Sequence, residues 1–558
     1  MFSKTQTSKD TFLEQTKAAR EERALEKKRE QSAVKIQALV RGWLARQRFI
    51  ARILNEFDQI LPEAVIHSSQ DETPPTLDLL PALEVYRVTC RLFLIFKQQR
   101  DRKRFEKLCK YIVQSLHSDS VKLSYVGVFL NKEYSLRWIA HIKDLLYKCC
   151  IYLEELKPES PLDMQSILIF LHTLVAFTAT NTWAITRLRN FEKLRGGMTQ
   201  LCANVMGSLF HKGYYLTLKS LLLRGLCREK VSLKNVALTA IVTLSLRPLI
   251  SAQFSEKLLT MYIIQILSVP TLVFHMQQIS PESMAVFRTY GMFDKCVEFL
   301  SADQNMRIVF NTLEGNYALC LLANLVQLAH CEREHALPDT YYPTFVLVVT
   351  RFLDSCQQYV VCKKGNLSNW HPVLGWFSQS FDAYLPQAMG NLRTQLSLLW
   401  GAPMLKKILA QPLKEMLDAG VTGEEGAGPS QPSTPVQSNN PAAIIRRAIE
   451  ARTSFHCYRA SSNKNYRKLG SPDCTKAALI CSMYHTALQT MKQVRLDILT
   501  GLCNQDEILY SLWQFLCTLG PTCGLKSFLD LLAVNTKTSA PEFQMLILFT
   551  DCMTHYVT

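Results

Sequence analysis

From Pro81 onward, apolar side chains recur every three or four positions and strand-like alternation is almost absent, so the pattern predicts an all-α chain. Stretches such as LEVYRVTCRLFLIFKQQ, RFEKLCKYIVQSL, LRWIAHIKDLLYKCCIYLEEL, SILIFLHTLVAFTAT and ALCLLANLVQLA each read as one helix. Short Pro, Gly or Asn turns separate them, as in stacked helical hairpins. No strict period repeats, so the expected architecture is a long N-terminal helix followed by an irregular α-solenoid-like stack.

The first sixty or so residues differ. Thr11 and Glu14 form a capping-box signature and no proline follows until Pro62, so one helix is predicted from about residue 12 to about residue 60, roughly 75 Å long. Its first half is charged almost all round, with pairs such as Lys17 with Glu21 and Glu26 with Arg29 supporting it. That half has little to bury and is expected to project into solvent.

The second half carries the most specific signal in the chain. Within Ala33 to Phe49, AVKIQALVRGWLARQRF, the residues Ile36, Gln37, Arg41, Gly42 and Arg46 fit the pattern I-Q-x-x-x-R-G-x-x-x-R at every defined position. This is the IQ motif, a helix gripped by calmodulin or a calmodulin-like protein in the helix-in-groove mode. Ile36, Val40, Trp43 and Leu44 form one apolar stripe at helical spacing and are the expected anchors. Gln37 suits hydrogen bonding with partner backbone, and Arg41 and Arg46 suit acidic partner surfaces. Gly42 costs a helix interior about 1 kcal/mol relative to Ala, which makes sense if a partner backbone approaches closely there. The competing reading is a basic amphipathic helix packed on its own domain.

Composition shifts divide the rest. The chain is expected to comprise residues 1–61 (charged helix with the IQ motif at 33–49), a helical array over 76–418, a disordered linker over 419–441, and a basic segment with a second helical region over 442–558. The linker, GVTGEEGAGPSQPSTPVQSNNP, has too few apolar side chains to offset its ordering entropy. The basic bias beyond it includes Arg446, Arg447, Arg452, Arg459, Lys464, Arg467 and Lys468. Thr434–Pro435 and Ser471–Pro472 have the form of proline-directed phosphorylation sites.

With 558 residues, 48% of them hydrophobic, the chain can bury a large core, and its net charge of +16 favours acidic partners. Eighteen cysteines without C-x-x-C pairs point to reduced, mostly buried thiols in a cytosolic or nuclear protein, and a cytoplasmic location is expected. The nearest approach to a membrane span is Leu258 to Phe274, which Gln265 and Pro270 interrupt, so it is expected to be a core helix ending before the proline, and no transmembrane segment is expected. No P-loop, G-x-G-x-x-G, H-E-x-x-H or G-x-S-x-G is present, and nothing asks for a cofactor. His330, Cys331, His335, Cys356 and Cys362 are too loosely spaced for a zinc site. The basic run Arg91 to Lys110 holds Phe93, Phe96 and Phe105 at helical spacing, a core pattern rather than a nucleic-acid platform.

Several segments extend the signal beyond the motif. The opening MFSKTQTS with AREER, RFEKLCK at 104–110, LRPLISAQFS at 246–255, ILSVPTLVFH at 266–275, HPVLGWFSQS at 371–380 and QVRLDILTGL at 493–502 resemble the N-terminal half of HECT-type E3 ubiquitin ligases that carry an IQ motif. The resemblance implies protein substrates for ubiquitination and an E2 engaged only through a HECT domain that would begin after residue 558. The family's catalytic cysteine lies in that domain, so no cysteine here is assigned the role and no catalytic residue is expected. A truncated isoform or an incomplete gene model is the simplest account, and a non-enzymatic calmodulin-binding adaptor competing for substrates is the alternative.

Overall fold

The computed structural model describes residues 3–61, 79–332, 341–363, 384–419, 467, 469–519, 528–529 and 542–557. Among these residues the chain is helical, with no strand and one isolated bridge between Arg467 and Leu519. The all-α expectation holds. The linker beyond Ala419 and the basic residues up to Lys464 lie outside the described residues, as do Thr434, His335 and the acidic turn around residues 68–78.

The helices group into two compact units. The first takes in residues 1–152 and 168–209, the second residues 153–167 and 210–558.

In the first unit, α1 (Ser3–Ile60) is a single helix of 58 residues, about 87 Å long. It starts earlier than the capping box predicts. Nothing between Ser3 and Asp10 is Pro or Gly, so Thr11 lies inside the helix rather than at its start. After α1 come α2 (Ala82–Ile95) and α3 (Gln98–Ser115), joined by the two residues Phe96 and Lys97. This hairpin is antiparallel: the Leu80 N–H donates to Tyr111 Oη at one end (2.8 Å), and Phe93 meets Phe105 towards the other at 6.2 Å.

An aromatic column forms the core of this unit. Phe105 stacks on Tyr152 at 5.5 Å, and Tyr152 on Phe170 at 5.1 Å. Phe96 meets Phe105 edge-on at 5.6 Å, so the aromatics of the Arg91–Lys110 run do belong to the core. His141 sits in the same cluster, stacked on Phe93 at 4.7 Å, with Nε2 3.0 Å from Tyr125 Oη. Burial, helped by the charge of Lys148, pushes its imidazole down to about 3.

Asp101, in the first turn of α3, has a fully buried carboxylate. It accepts the Lys97 N–H (2.8 Å) and both Arg100 Nε (2.9 Å) and Nη2 (2.7 Å). Burial alone would raise its carboxyl, but the Arg100 hydrogen bonds, the Lys97 N–H and the charges of Arg100 and Arg104 outweigh it and hold the group below the usual range.

In the second unit, the apolar stretch around Leu258 folds as Glu256–Tyr262, a π-turn at Ile263–Leu267, a break at Val269–Pro270, and a new helix Leu272–Ile279 bent by 73°. The helix ends before the proline, as expected. Asn324, fully buried, satisfies the break: Nδ2 donates to the carbonyls of Leu267 and Val269 (2.8 Å each), and Oδ1 accepts the Val273 N–H at 3.1 Å.

A different segment, Pro161–Thr178, is the one helix among the described residues long and apolar enough by itself to cross a membrane, and 56% of it is buried within the structure. Its polar positions cost it little apolarity, because Thr173 and Thr178 each bond the carbonyl four residues back (2.8 Å). This differs from the sequence ranking, which placed Leu258–Phe274 first.

Candidate functional site

One stripe runs down α1 at alternating spacings of four and three, through Ile36, Val40, Trp43, Gln47, Ile50, Leu54 and Phe57, and continues to Leu61 just past its end. Its two ends have opposite fates. Phe57 and Leu61 are buried, with Ile53 beside them, whereas Ile36 is 61% and Trp43 55% exposed. Ile50 marks the change.

Charged clamps fix the buried end, the root of the arm. Arg104 grips Asp58 with two nitrogens, Nε to Oδ1 at 3.0 Å and Nη2 to Oδ2 at 2.7 Å. Arg91 pairs with Glu56, and Lys107 Nζ donates to the Leu61 carbonyl at 2.8 Å. This last bond also closes an orphan acceptor beyond the helix end. The root is therefore held by apolar burial of Ile53, Phe57 and Leu61, worth roughly 1.5–3 kcal/mol per side chain, and oriented by ion pairs at its edges.

Beyond the root the arm presents Ile36, Val40, Trp43 and Leu44 as exposed side chains on one face. Gln37, Arg41 and Arg46 are exposed as well. Between Gln31 and Asn55 the sequence has five basic side chains, Lys35, Arg41, Arg46, Arg48 and Arg52, and no acidic one. Gly42 needs no room from its own chain: a Cβ there would meet only the flexible Arg46 guanidinium, at 3.7 Å. Intramolecular packing thus gives no reason for glycine at this position.

The reading of this stretch as a helix packed on its own domain does not fit those exposures. All seven residues expected to bind, Ile36, Gln37, Val40, Arg41, Gly42, Trp43 and Arg46, lie on one uninterrupted helical segment. Leu39, 71% exposed and three residues after Ile36, belongs to the same apolar face and was missed. Its i, i+3 spacing from Ile36 is the signal that finds it. Phe49, also exposed, lies off the stripe on another side of the helix.

Elsewhere the chemistry is quiet. Every described cysteine is buried or half-buried. Burial pushes up the thiols of Cys90, Cys356 and Cys474, and those of Cys296 and Cys481 to about 12, the opposite of what a nucleophilic thiolate needs. Among the described residues no three His, Cys, Asp or Glu side chains come together as a metal site.

Comparison with known proteins agrees with the geometry. The IQ calmodulin-binding motif is matched over residues 30–50. The whole chain is 38% identical over 564 residues to ubiquitin-protein ligase E3B of Homo sapiens, and 38% identical over 562 residues to that of Mus musculus. In both cases 100% of this chain and 51% of the relative are aligned, so the chain spans about half the length of the relatives it matches. No solved structure matches. The chain is thus similar from end to end to about half of ubiquitin-protein ligase E3B and carries an IQ motif on an exposed helix.

Proposed function

We propose that this chain is the regulatory and substrate-recruiting N-terminal part of a HECT-type E3 ubiquitin ligase, acting in the cytoplasm and controlled by calmodulin or a calmodulin-like protein bound to α1. The observation that carries the control arm is the apolar stripe Ile36, Val40, Trp43 and Leu44, exposed on a basic helix whose root is clamped. Similarity along the whole chain to a ubiquitin-protein ligase supports the ligase assignment. The helical units would hold protein substrates, and an E2 would be engaged through a HECT domain outside this chain.

In this reading the partner closes around the stripe, Gln37 bonds its backbone at the groove edge, Gly42 admits close approach, and Arg41 and Arg46 meet its acidic rim. Calorimetric titration of the chain with calmodulin, with and without calcium, tests it. The expected result is a one-to-one complex that Ile36→Glu/Trp43→Glu removes; equal affinity of wild type and double variant would refute the assignment. The chain itself is not expected to take ubiquitin from an E2 as a reductant-sensitive thioester, and detection of one on the purified chain would refute that expectation.

A further inference from the structure

In the first unit the segment Arg187 to Arg195, RLRNFEKLR, holds four basic side chains and one carboxylate, a net of +3 over nine residues. Its base is fixed in the core. Buried Trp183 donates Nε1–H to the Ala176 carbonyl at 2.7 Å, and the Ala184 N–H donates to the Leu116 carbonyl at 2.9 Å. Arg195 Nε donates to the Thr186 carbonyl at 2.9 Å, which ties the far end of the segment back to its start. Between these ties Arg187, Arg189, Asn190, Glu192, Lys193 and Leu194 are all exposed.

The apolar residues Leu188, Phe191 and Leu194 recur every third position, and Arg189–Leu194 is a 3₁₀ helix. With three residues per turn, side chains at i and i+3 eclipse, so Phe191 and Leu194 share one edge. Asn190 and Lys193 form a second edge, and Arg189 and Glu192 the third. The apolar row is half-buried at Leu188 and Phe191 and emerges at Leu194, 45% exposed, with Lys193 and Arg195 flanking it in sequence.

Glu192 does little to offset the charge. Its pairing with Arg195 spans 3.8 Å between side chains 73% and 50% exposed, and an exposed pair of that kind is weak. The helix that follows, Arg195–His211, opens with Gly196 and Gly197, where a Cβ would meet nothing within 4 Å. Its first turn is thus open to solvent, and the positive end of its dipole adds to the same field.

We propose that the turn Arg187 to Arg195 is a contact for an anionic lipid surface, with Leu194 entering the headgroup boundary and the four basic side chains meeting lipid phosphates and carboxylates. An apolar side chain emerging between cations is the pattern of elements that lie at a membrane interface. Each Lys or Arg near an anionic leaflet strengthens such binding about fivefold. One exposed leucine is too little to fill a protein groove, and the only ring of the turn, Phe191, is half-buried and unsuited to stack on bases. A contact of this size is reversible and orients the first unit towards the membrane rather than anchoring it. The inference is independent of the calmodulin reading of α1.

Co-sedimentation of the full chain with vesicles tests it, using phosphatidylserine mixed with phosphatidylcholine and phosphatidylcholine alone. The chain should bind the mixed vesicles and leave the neutral ones. Arg187→Gln/Arg189→Gln/Lys193→Gln should weaken binding roughly a hundredfold, and Leu194→Ser about fivefold. Arg20→Gln/Lys27→Gln/Lys28→Gln removes the same charge from the exposed first half of α1 and should stay within about twofold of wild type, because screening confines the effect to charges at the contact. No binding of wild type to the mixed vesicles would overturn the proposal. Equal losses in the two charge variants would do so by showing bulk charge alone. Full binding in the turn variant, with binding lost in Ile36→Glu/Trp43→Glu, would put the contact on α1 and likewise overturn it. If Leu194→Ser binds vesicles as wild type does and the turn variant instead loses affinity for a single-stranded oligonucleotide, the turn is a nucleic-acid contact and the proposal fails.

Discussion

The tip and the root of α1 share one helix and one apolar stripe, yet Phe57 is fully buried while Trp43 stands in solvent. The periodicity does not distinguish them. Charge does: Glu56 and Asp58 at the root are met by Arg91 and Arg104, whereas the only charged side chains of the tip, from Gln31 to Arg52, are basic. The basic α2–α3 hairpin can cover the root, whose carboxylates complement it, and would repel the tip. An apolar stripe on a helical stretch whose only charges are basic is complementary to an acidic groove.

Cutting the root should have the largest effect. Phe57→Ala is expected to destabilise the first unit by about 3–4 kcal/mol, read as a lower denaturation midpoint, because it removes a fully buried ring. At the tip, Ile36→Glu/Trp43→Glu is expected to leave that midpoint unchanged while weakening calmodulin binding by roughly a hundredfold or more. A midpoint that falls with the tip variant would mean the stripe packs on its own chain.

Smaller effects sharpen the contrast. Asp101→Ala should cost about 2 kcal/mol, because it removes charge-assisted hydrogen bonds from a buried carboxylate at the start of α3. The first unit should also be sensitive to acid. His141 has its folded value lowered to about 3, so the unfolded state binds the extra proton first and stability falls as pH drops from about 6.5 towards 3. Asp101 adds to this below about pH 4, since a carboxyl held low loses its contribution as pH falls through its folded value. His141→Gln should flatten the upper part of that slope in pH-dependent denaturation; an unchanged slope would place the titrating group elsewhere. Gly42→Ala is the mildest change, stabilising free α1 by up to about 1 kcal/mol and weakening partner binding through steric contact.

Much of this was legible in the sequence. The exact I-Q-x-x-x-R-G-x-x-x-R spacing located the tip, and the three- and four-residue periodicity identified the helices and the break at Pro270. The capping box at Thr11 misplaced the helix start, because a local cap signature does not stop a helix when the preceding residues also tolerate one. The clamps were not legible. Arg104 and Asp58 are 46 residues apart, and a pairing at that distance depends on the helical register of the hairpin, which composition does not encode.

Hydrogen exchange along α1 in the full chain, with and without calmodulin, tests the account most directly. The expected result is slow exchange over residues 53–60 in the free chain, fast exchange over residues 33–49, and protection of residues 33–49 when calmodulin is added. Slow exchange over 33–49 in the free chain, or no added protection with calmodulin bound, would contradict the claim that the tip is an open seat for a partner.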